Sequence, residues 1–184
     1  DFASLEARIQ GHYIMPYEGG KDLAITLLAE KPNDVHCYSE DTEILTQHGW
    51  KSFGDLGEDD LVGQFNDGIE FVKPLDIIWE NYSGTMISLK HKYIDQLVTP
   101  NHNIVLFKNG KYRLVEAKRI HRPIYRKHKI IHVDQQEDLC QVLLTDIVKS
   151  KVHYEGKIGC VTVPSSMIVV KRNDTVYISG NSVT

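Results

Sequence analysis

Cysteine is scarce in this chain, and the few cysteines stand far apart. The 184 residues contain three of them, Cys37, Cys140 and Cys160. Their odd number and wide spacing argue against a disulfide framework and against a CxxC zinc site. This usage is typical of a reducing compartment, so we expect a cytoplasmic protein.

Long apolar runs and a large excess of one charge are also absent. No run of about 18 apolar residues occurs, and no basic segment followed by an apolar core resembles a secretion signal. We therefore expect no membrane partner. The formal net charge is −4, so wholesale binding to nucleic acid is not implied. Hydrophobic residues make up 41% of the chain and charged residues 25%, which indicates a globular protein with one core.

Residues 1–36 differ in periodicity from the rest of the chain. Two segments, 4–15 and 21–31, carry apolar side chains at helical spacing. Pro16 and Gly19-Gly20 separate them and predict a turn. The sequence thus predicts a small helical hairpin, too short to fold as a domain by itself.

From Cys37 onward the apolar period changes to two, which predicts an all-β body. Gly, Asn and Asp separate the short runs and predict turns, as at Asn66-Asp67-Gly68, Lys108-Asn109-Gly110 and Asn173-Asp174. The predicted strands cover residues 43–46, 50–53, 62–65, 69–72, 77–80, 85–89, 96–99, 103–107, 112–115, 154–163, 167–170 and 175–178. Only residues 53–56 and 115–120 resemble short helical turns.

Residues 108–129 form the most basic stretch of the chain. They hold nine Lys and Arg residues against a single acid, Glu116. Contact with nucleic acid is one interpretation of such a run. A solvated face with a connecting loop is the other, and it is favoured because no aromatic residues alternate with the basic ones to stack on bases.

The two ends of the β body carry reactive side chains. Cys37 opens it, and cysteine is the best side-chain nucleophile near neutral pH. Asn181 and Ser182 close it. Asparagine can attack its own peptide carbonyl to form a succinimide, which cuts the chain behind it, and serine offers a hydroxyl as a second acyl acceptor. Each residue alone is usually structural, but all three at the edges of one block predict self-processing.

A T-x-x-H segment, Thr99 to His102, follows one of the predicted strands. Such a turn places a hydroxyl and an imidazole on the same side of a loop. Together they can donate hydrogen bonds to a scissile amide and stabilise the charge that develops on its oxygen.

In these segments the block from residue 37 to residue 181 resembles an intein. The matching segments, in the family's order, are Cys37 to Thr46, Val98 to Ile104, Tyr154 to Val163 and Val176 to Ser182. The match spans 145 residues and includes no paired dodecapeptide helices, so it resembles a mini-intein without a homing endonuclease. The resemblance implies the all-β horseshoe shared by inteins and hedgehog-type autoprocessing domains.

The resemblance also implies a single-turnover splicing reaction. The scissile bonds would be His36–Cys37 and Asn181–Ser182, cut through a thioester, a branched ester and asparagine cyclisation. Thr99 and His102 would assist the first step. No cofactor is implied, the substrate is the chain's own flanking segments, and a monomer is expected. Hedgehog-like cleavage with an external alcohol fits poorly, because it needs neither Asn181 nor Ser182.

Three positions depart from the family's usual pattern. Gly180 replaces the histidine that usually precedes the terminal asparagine, and Met167 stands where a histidine is usual. Cys160 stands in place of an aspartate, where we expect it to assist acyl transfer. His153 and His132 are candidates for the missing acid–base groups, although a histidine in a β chain is more often structural.

The flanking residues resemble a different family. Asp1 to Ile9 resemble the palm motif of family A DNA polymerases, in which the aspartate at Asp1's place binds catalytic Mg²⁺. Joining residues 33–36 to the stub 182–184 resembles the D-x-H-[ST] segment of the same enzymes. This implies a polymerase host in a bacterial or phage-infected cell, with nucleic acid bound only through the complete polymerase. The alternative is a nucleic-acid-binding polymerase fragment that does not splice.

Overall fold

The structure, a computed structural model, describes residues 35–181. Within them the strands, in chain order, are β1 (Tyr38–Ser39), β2 (Glu43–Thr46), β3 (Gly49–Ser52), β4 (Val62–Phe65), β5 (Ile69–Val72), β6 (Asp76–His91), β7 (Ile94–Val98), β8 (Asn103–Lys108), β9 (Lys111–Glu116), β10 (Lys129–Val133), β11 (Leu139–Leu143), β12 (Val148–Thr162), β13 (Met167–Arg172) and β14 (Thr175–Gly180). The helical segments are three 3₁₀ turns and one short helix, Phe53–Asp55, Ala117–Arg119, Leu144–Asp146 and α1 (Arg122–Tyr125). None of these four is long and apolar enough to cross a membrane. The all-β fold class predicted from the sequence is confirmed.

The strands form two sheets. Strands β1, β12, β6 and β7 pair in a closed ring. The other strands form a sheet in the order β3-β2-β4-β13-β14-β10-β8-β9, with β5 paired to β4 and β11 to β10. In the ring, Tyr38 of β1 lies opposite Gly159 of β12 and Val98 of β7. This pairing brings the residue after Cys37 beside two segments that are distant in sequence.

Hairpin turns and alternating apolar residues explain why the chain folds into this sheet. Asn109 and Gly110 both have positive φ, 53° and 73°, as the tight turn between β8 and β9 requires. Asn173 and Asp174 make the same kind of turn between β13 and β14. One apolar cluster lies across β4, β8, β10, β13 and β14, and its buried members are Phe65, Val105, Ile131, Val169 and Ile178. Burial of this face fixes the register, because a shift of one residue would turn every apolar side chain outward.

Several boundaries differ from the sequence-based prediction. The predicted strands 77–80 and 85–89 are one strand, β6, because the intervening polar residues 81–84 continue the pairing with β12. Strands β10 and β11 were not predicted, since the basic stretch before them and the polar residues between them resemble a loop. The 3₁₀ turn at Leu144–Asp146 and helix α1 were missed as well. The predicted helical hairpin over residues 4–31 and the stub 182–184 lie outside the described residues.

Candidate functional site

Cys37 lies at the start of β1, fully buried beside the T-x-x-H turn. Its backbone N–H donates to Thr99 Oγ1 at 3.0 Å. Thr99 N–H donates in return to the Cys37 carbonyl at 3.0 Å. The Thr99 hydroxyl also lies 3.4 Å from that carbonyl. Three hydrogen bonds thus join Cys37 and Thr99, which are 62 positions apart in the sequence.

His102 closes the turn and is buried completely. Burial lowers the pKa of its imidazole from 6.5 to about 3, and the neighbouring backbone of His36 offsets this only in part. The ring is therefore neutral at pH 7. Its Nε2 lies 3.3 Å from the Ser179 hydroxyl. Within residues 35–181, its Nδ1 has no partner of ordinary hydrogen-bond geometry.

Tyr38 connects the two ends of the block. Its hydroxyl donates to the Gly180 carbonyl at 2.5 Å, across 142 positions of sequence. Its ring packs edge-on against His102, with centroids 4.3 Å apart, and stacks on Phe53. Burial raises the pKa of Tyr38 well above its usual value, and the nearby thiols of Cys160 and Cys37 act in the same direction. The phenol therefore stays protonated and serves as a hydrogen-bond donor.

Asn181, the last described residue, is held at both its backbone and its side chain. Its N–H donates to the Ser166 carbonyl at 3.1 Å. Its side-chain Nδ2 donates to the Val163 carbonyl at 3.0 Å. Both acceptors belong to the turn between β12 and β13. Ser182 lies outside the described residues, so its role as the second acyl acceptor stays a prediction.

Gly180 has no space for the histidine that inteins, which the sequence resembles, usually carry at this position. A Cβ at this position would lie 2.3 Å from the Asn103 carbonyl oxygen and 2.9 Å from Asn103 Cβ. The atom that blocks it is backbone, so rotation of a side chain cannot clear the space. The departure from the family's pattern at this position thus has a steric reason.

Cys160 is buried on β12, next to Gly159, which pairs with Tyr38. Its Sγ donates to the Val161 carbonyl at 3.4 Å. Because the charges of Cys160 and Cys37 would both act on the Tyr38 phenol, the three side chains share one environment. The structure therefore brings together Cys37, Thr99, His102, Asn181 and Cys160 around β1 and the end of β14.

The two histidines that are candidates for an assisting role, His153 and His132, contact other parts of the domain. His153 is exposed on β12 and lies 3.4 Å from the Glu155 carboxylate. His132 stacks on Tyr93 with centroids 4.9 Å apart and an interplanar angle of 7°. It lines a cavity of about 670 Å³ between the β6–β7, β10–β11 and β13–β14 turns. Neither contact involves Cys37 or Asn181, and the assisting role of these histidines stays a prediction.

Several supporting residues could not be found from the sequence. The Lys118 ammonium donates to the Asn101 side chain at 2.6 Å, within the T-x-x-H turn. The backbone N–H groups of Lys118 and Ala117 donate to the carbonyls of Pro100 and His102. Part of the basic stretch is therefore engaged in holding this turn. Ser179 also escaped prediction, because an isolated serine in a strand carries no sequence signal.

Comparison with solved structures identifies the architecture. A class 3 split intein has a TM-score of 0.75 and 18% identity, over 81% of this chain and 100% of that one. An intein precursor from Methanococcus jannaschii has a TM-score of 0.60 and 18% identity, over 80% of this chain and 92% of that one. A bacterial intein-like domain from Clostridium thermocellum has a TM-score of 0.57 and 15% identity, over 80% of this chain and 99% of that one. The described domain has the intein fold.

Sequence comparison gives matches that cover less of this chain than the structural matches do. No protein-family profile matches it. A ribonucleoside-diphosphate reductase subunit beta from Aquifex aeolicus is 34% identical over 97 residues, 48% of this chain and 14% of that protein. An ATP-dependent Clp protease proteolytic subunit from Chlamydomonas moewusii is 30% identical over 92 residues, 46% of this chain and 9% of that protein. The matched segments are thus small parts of two much longer proteins.

Proposed function

We propose that residues 37–181 are an intein that excises itself and joins His36 to Ser182. The observation that carries the proposal is the hydrogen bond from Tyr38, beside the first junction, to Gly180, beside the second. Acyl transfer between two junctions requires that they meet, and this contact brings them together. The intein fold of the domain supports the same conclusion.

The two sequence relatives support an inserted element. A reductase subunit and a protease subunit have different activities, yet each shares a segment of about 95 residues with this chain. The shared property is therefore neither activity. A module that occurs within unrelated proteins and removes itself accounts for this distribution.

In the proposed first step, the Cys37 thiol attacks the carbonyl carbon of His36. A sulfur–carbon bond forms, the carbon–nitrogen bond breaks, and the thiol proton ends on the new amine. Thr99 Oγ1, 3.0 Å from the Cys37 nitrogen, holds that nitrogen in place. The neutral imidazole of His102, which lies beside the His36 backbone, relays this proton from the thiol to the leaving nitrogen and stabilises the charge that develops on the carbonyl oxygen.

Three further steps complete the reaction. The Ser182 hydroxyl takes the acyl group from Cys37 as an oxygen ester and returns the proton to the thiol. Asn181 Nδ2 then attacks the carbonyl carbon of its own residue. The bond from that carbon to the Ser182 nitrogen breaks, the proton lost by Nδ2 ends on the leaving amine, and a succinimide remains. The Val163 carbonyl accepts a hydrogen bond from Nδ2, which orients the side-chain amide for this attack. The freed amine captures the ester carbonyl to give an ordinary peptide bond. No cofactor enters these steps, because each one exchanges one acyl bond for another.

We assign Cys160 to assisting the transfer. One structural relative is a splice-inactive variant in which a cysteine and an asparagine, 22 residues apart, are replaced by alanine. Cys160 and Asn181 are 21 residues apart in this chain. A thiol at this place can accept a hydrogen bond and shuttle a proton.

Incubation of the purified 184-residue chain tests the function. Mass spectrometry should show a 145-residue product and a ligated 39-residue peptide made of residues 1–36 and 182–184. A chain carrying both Cys37→Ala and Asn181→Ala is the control and should stay intact. A chain that remains at full mass under reducing conditions, with no fragment after prolonged incubation, would contradict splicing.

The host is a second part of the proposal. Residues 1–9 resemble the palm motif of a family A DNA polymerase, and the fragment present here is too short to polymerise. Splicing in cis consumes the chain that performs it, so it occurs once per chain. A complete polymerase carrying this insert should gain activity as splicing proceeds. Activity that is the same in the variant with Cys37→Ala and Asn181→Ala would contradict this placement.

A further inference from the structure

Three hydrogen bonds hold the end of the block, and the mechanism above uses only one of them. The peptide unit between Gly180 and Asn181 is bonded at both of its polar groups. Its carbonyl accepts from the Tyr38 hydroxyl at 2.5 Å, and its N–H donates to the Ser166 carbonyl at 3.1 Å. The Asn181 side chain donates to the Val163 carbonyl at 3.0 Å. The peptide unit and the tyrosine are buried, so a polar group that loses its partner here has no water to replace it.

We propose that Tyr38 is a positioning residue for the second cleavage: by holding the Gly180 carbonyl, its hydroxyl keeps Asn181 in the conformation from which the side chain closes on its own carbonyl carbon. The inference rests on the splicing function proposed above. It makes the second cleavage depend on the strand that carries the first junction, because Tyr38 directly follows Cys37.

The phenol is the donor in the bond to Gly180. A carbonyl oxygen carries no proton, so an O···O distance of 2.5 Å requires the Tyr38 proton between the two atoms. Burial raises the pKa of the phenol well above its usual value, so this proton is retained. The Ser179 hydroxyl also hydrogen-bonds the phenol, and it brings a proton of its own. Tyr38 can therefore accept from Ser179 while it donates to Gly180.

Strand β8 confines the same part of the backbone. A Cβ at Gly180 would lie 2.3 Å from the Asn103 carbonyl oxygen, so the end of β14 has little room to move toward β8. With the Tyr38 hydroxyl on its carbonyl, Gly180 is held by two segments that are distant from it in sequence.

Conformation matters strongly for asparagine cyclisation, because the nucleophile and the carbon that it attacks belong to one residue. Nδ2 must approach one face of the Asn181 carbonyl, and rotations within the residue bring it there. The bonds to Ser166 and Val163 hold the N–H and the side chain, and the bond from Tyr38 holds the plane of the preceding peptide unit. Removal of the hydroxyl releases that plane. Loss of one orienting hydrogen bond should slow ring closure about 10-fold.

The ring and the hydroxyl of Tyr38 contact different junctions. The ring packs edge-on against His102, with centroids 4.3 Å apart, and stacks on Phe53. The hydroxyl contacts the Gly180 carbonyl. Tyr38→Phe therefore keeps the packing beside the first junction and removes the bond to the second.

Cleavage rates in the full 184-residue chain test the proposal at each junction separately. Cleavage after Asn181 is followed by mass in a Cys37→Ala background, and thiol-induced release of residues 1–36 is followed in an Asn181→Ala background. Tyr38→Phe should slow cleavage after Asn181 about 10-fold and leave the release of residues 1–36 at the parent rate.

Tyr177→Phe is the matched control. This fully buried hydroxyl on β14 also donates to a backbone carbonyl, that of Asp95, at 2.9 Å. Its removal should lower the Tm about as much as Tyr38→Phe does, because each variant loses one buried hydrogen bond of the same kind. Both cleavage rates should stay at the parent value in Tyr177→Phe.

Carbon NMR of the Gly180 carbonyl measures the hydrogen bond itself, in chains that carry both Cys37→Ala and Asn181→Ala so that neither junction is cut. A hydrogen bond to the oxygen deshields the carbonyl carbon. The Gly180 signal should therefore move upfield in Tyr38→Phe and stay in place in Tyr177→Phe.

The outcomes separate this inference from the proposed function. In a parent chain that splices, the inference is overturned by a Tyr38→Phe variant that cleaves after Asn181 at the parent rate, or that slows both cleavages equally. A Gly180 signal that does not move in Tyr38→Phe would overturn it as well. A parent chain that cleaves at neither junction would overturn the proposed function, and this role of Tyr38 with it.

Discussion

Replacement of Gly180 tests the geometry of the second junction most directly. Inteins that the chain resembles usually carry histidine here, so insertion of histidine would be expected to speed cleavage if only the chemistry mattered. The structure predicts the opposite. A Cβ would lie 2.3 Å from the Asn103 carbonyl oxygen, so either β8 or the end of β14 has to move. That movement would also break the hydrogen bond from Tyr38.

The size of the effect follows from the contact. Overpacking of a closely packed region costs typically about 1–3 kcal/mol. For a domain of this size, each kcal/mol corresponds to a change in Tm of about 2–4 °C. Gly180→Ala and Gly180→His should therefore both lower the Tm, by about 2–12 °C. The matched control is Gly68→Ala, because a Cβ at Gly68 meets no atom within 4 Å, and its effect should stay within about 0.5 kcal/mol.

Thermal unfolding is measured in chains that carry Cys37→Ala and Asn181→Ala, so that a single species is present. Cleavage after Asn181 is measured separately by mass, with Asn181 intact. Both Gly180 variants should cleave more slowly than the parent at this bond and at His36–Cys37. A Gly180→His chain with an unchanged Tm and faster cleavage after Asn181 would refute the steric argument.

Four further predictions concern the junction residues. Cys37→Ala should abolish ligation while cleavage after Asn181 persists, and a 39-residue ligated peptide in its mass spectrum would refute the thioester. Asn181→Ala should release a fragment ending at His36 when thiol is added. If this variant releases no fragment although the parent chain splices, the thioester step is contradicted. His102→Ala should slow that release by about 10²-fold; it should also flatten the pH dependence of unfolding, because a pKa depressed to about 3 makes the parent lose stability as pH falls below 6.5. Cys160→Asp should retain splicing and Cys160→Ala should slow it, whereas equal rates for Cys160→Ala and the parent would make this thiol a packing residue.

Local sequence signals were sufficient for the strands that alternate and for the turns that join them. The Asn109-Gly110 and Asn173-Asp174 turns lie where predicted, because these residue types tolerate the positive φ that tight hairpins require. The long ribbon of β6 and β12 could not be predicted over its full length. Its polar middle has no apolar alternation, and only pairing between the two strands makes it extended.

The chemical side chains of the site were also evident from the sequence, because reactivity belongs to the residue type. Cys37, Thr99, His102 and Asn181 were predicted as a group, and the structure brings them to the region around β1 and the end of β14. The residues that hold them in place, Ser179 and Lys118, carried no signal. Their role depends on contacts across 77 and 17 positions of sequence.

The sequence by itself determined the all-β class, the hairpin turns and the identity of the reactive side chains, because periodicity, turn chemistry and nucleophilicity are local properties. Tertiary structure decided which of these side chains meet and in what electrostatic state. The low pKa of His102 arises from complete burial, and the absence of space at Gly180 arises from the backbone of another strand. Neither the burial of His102 nor the close approach at Gly180 can be deduced from the residue itself, because segments distant in sequence produce both by packing against it.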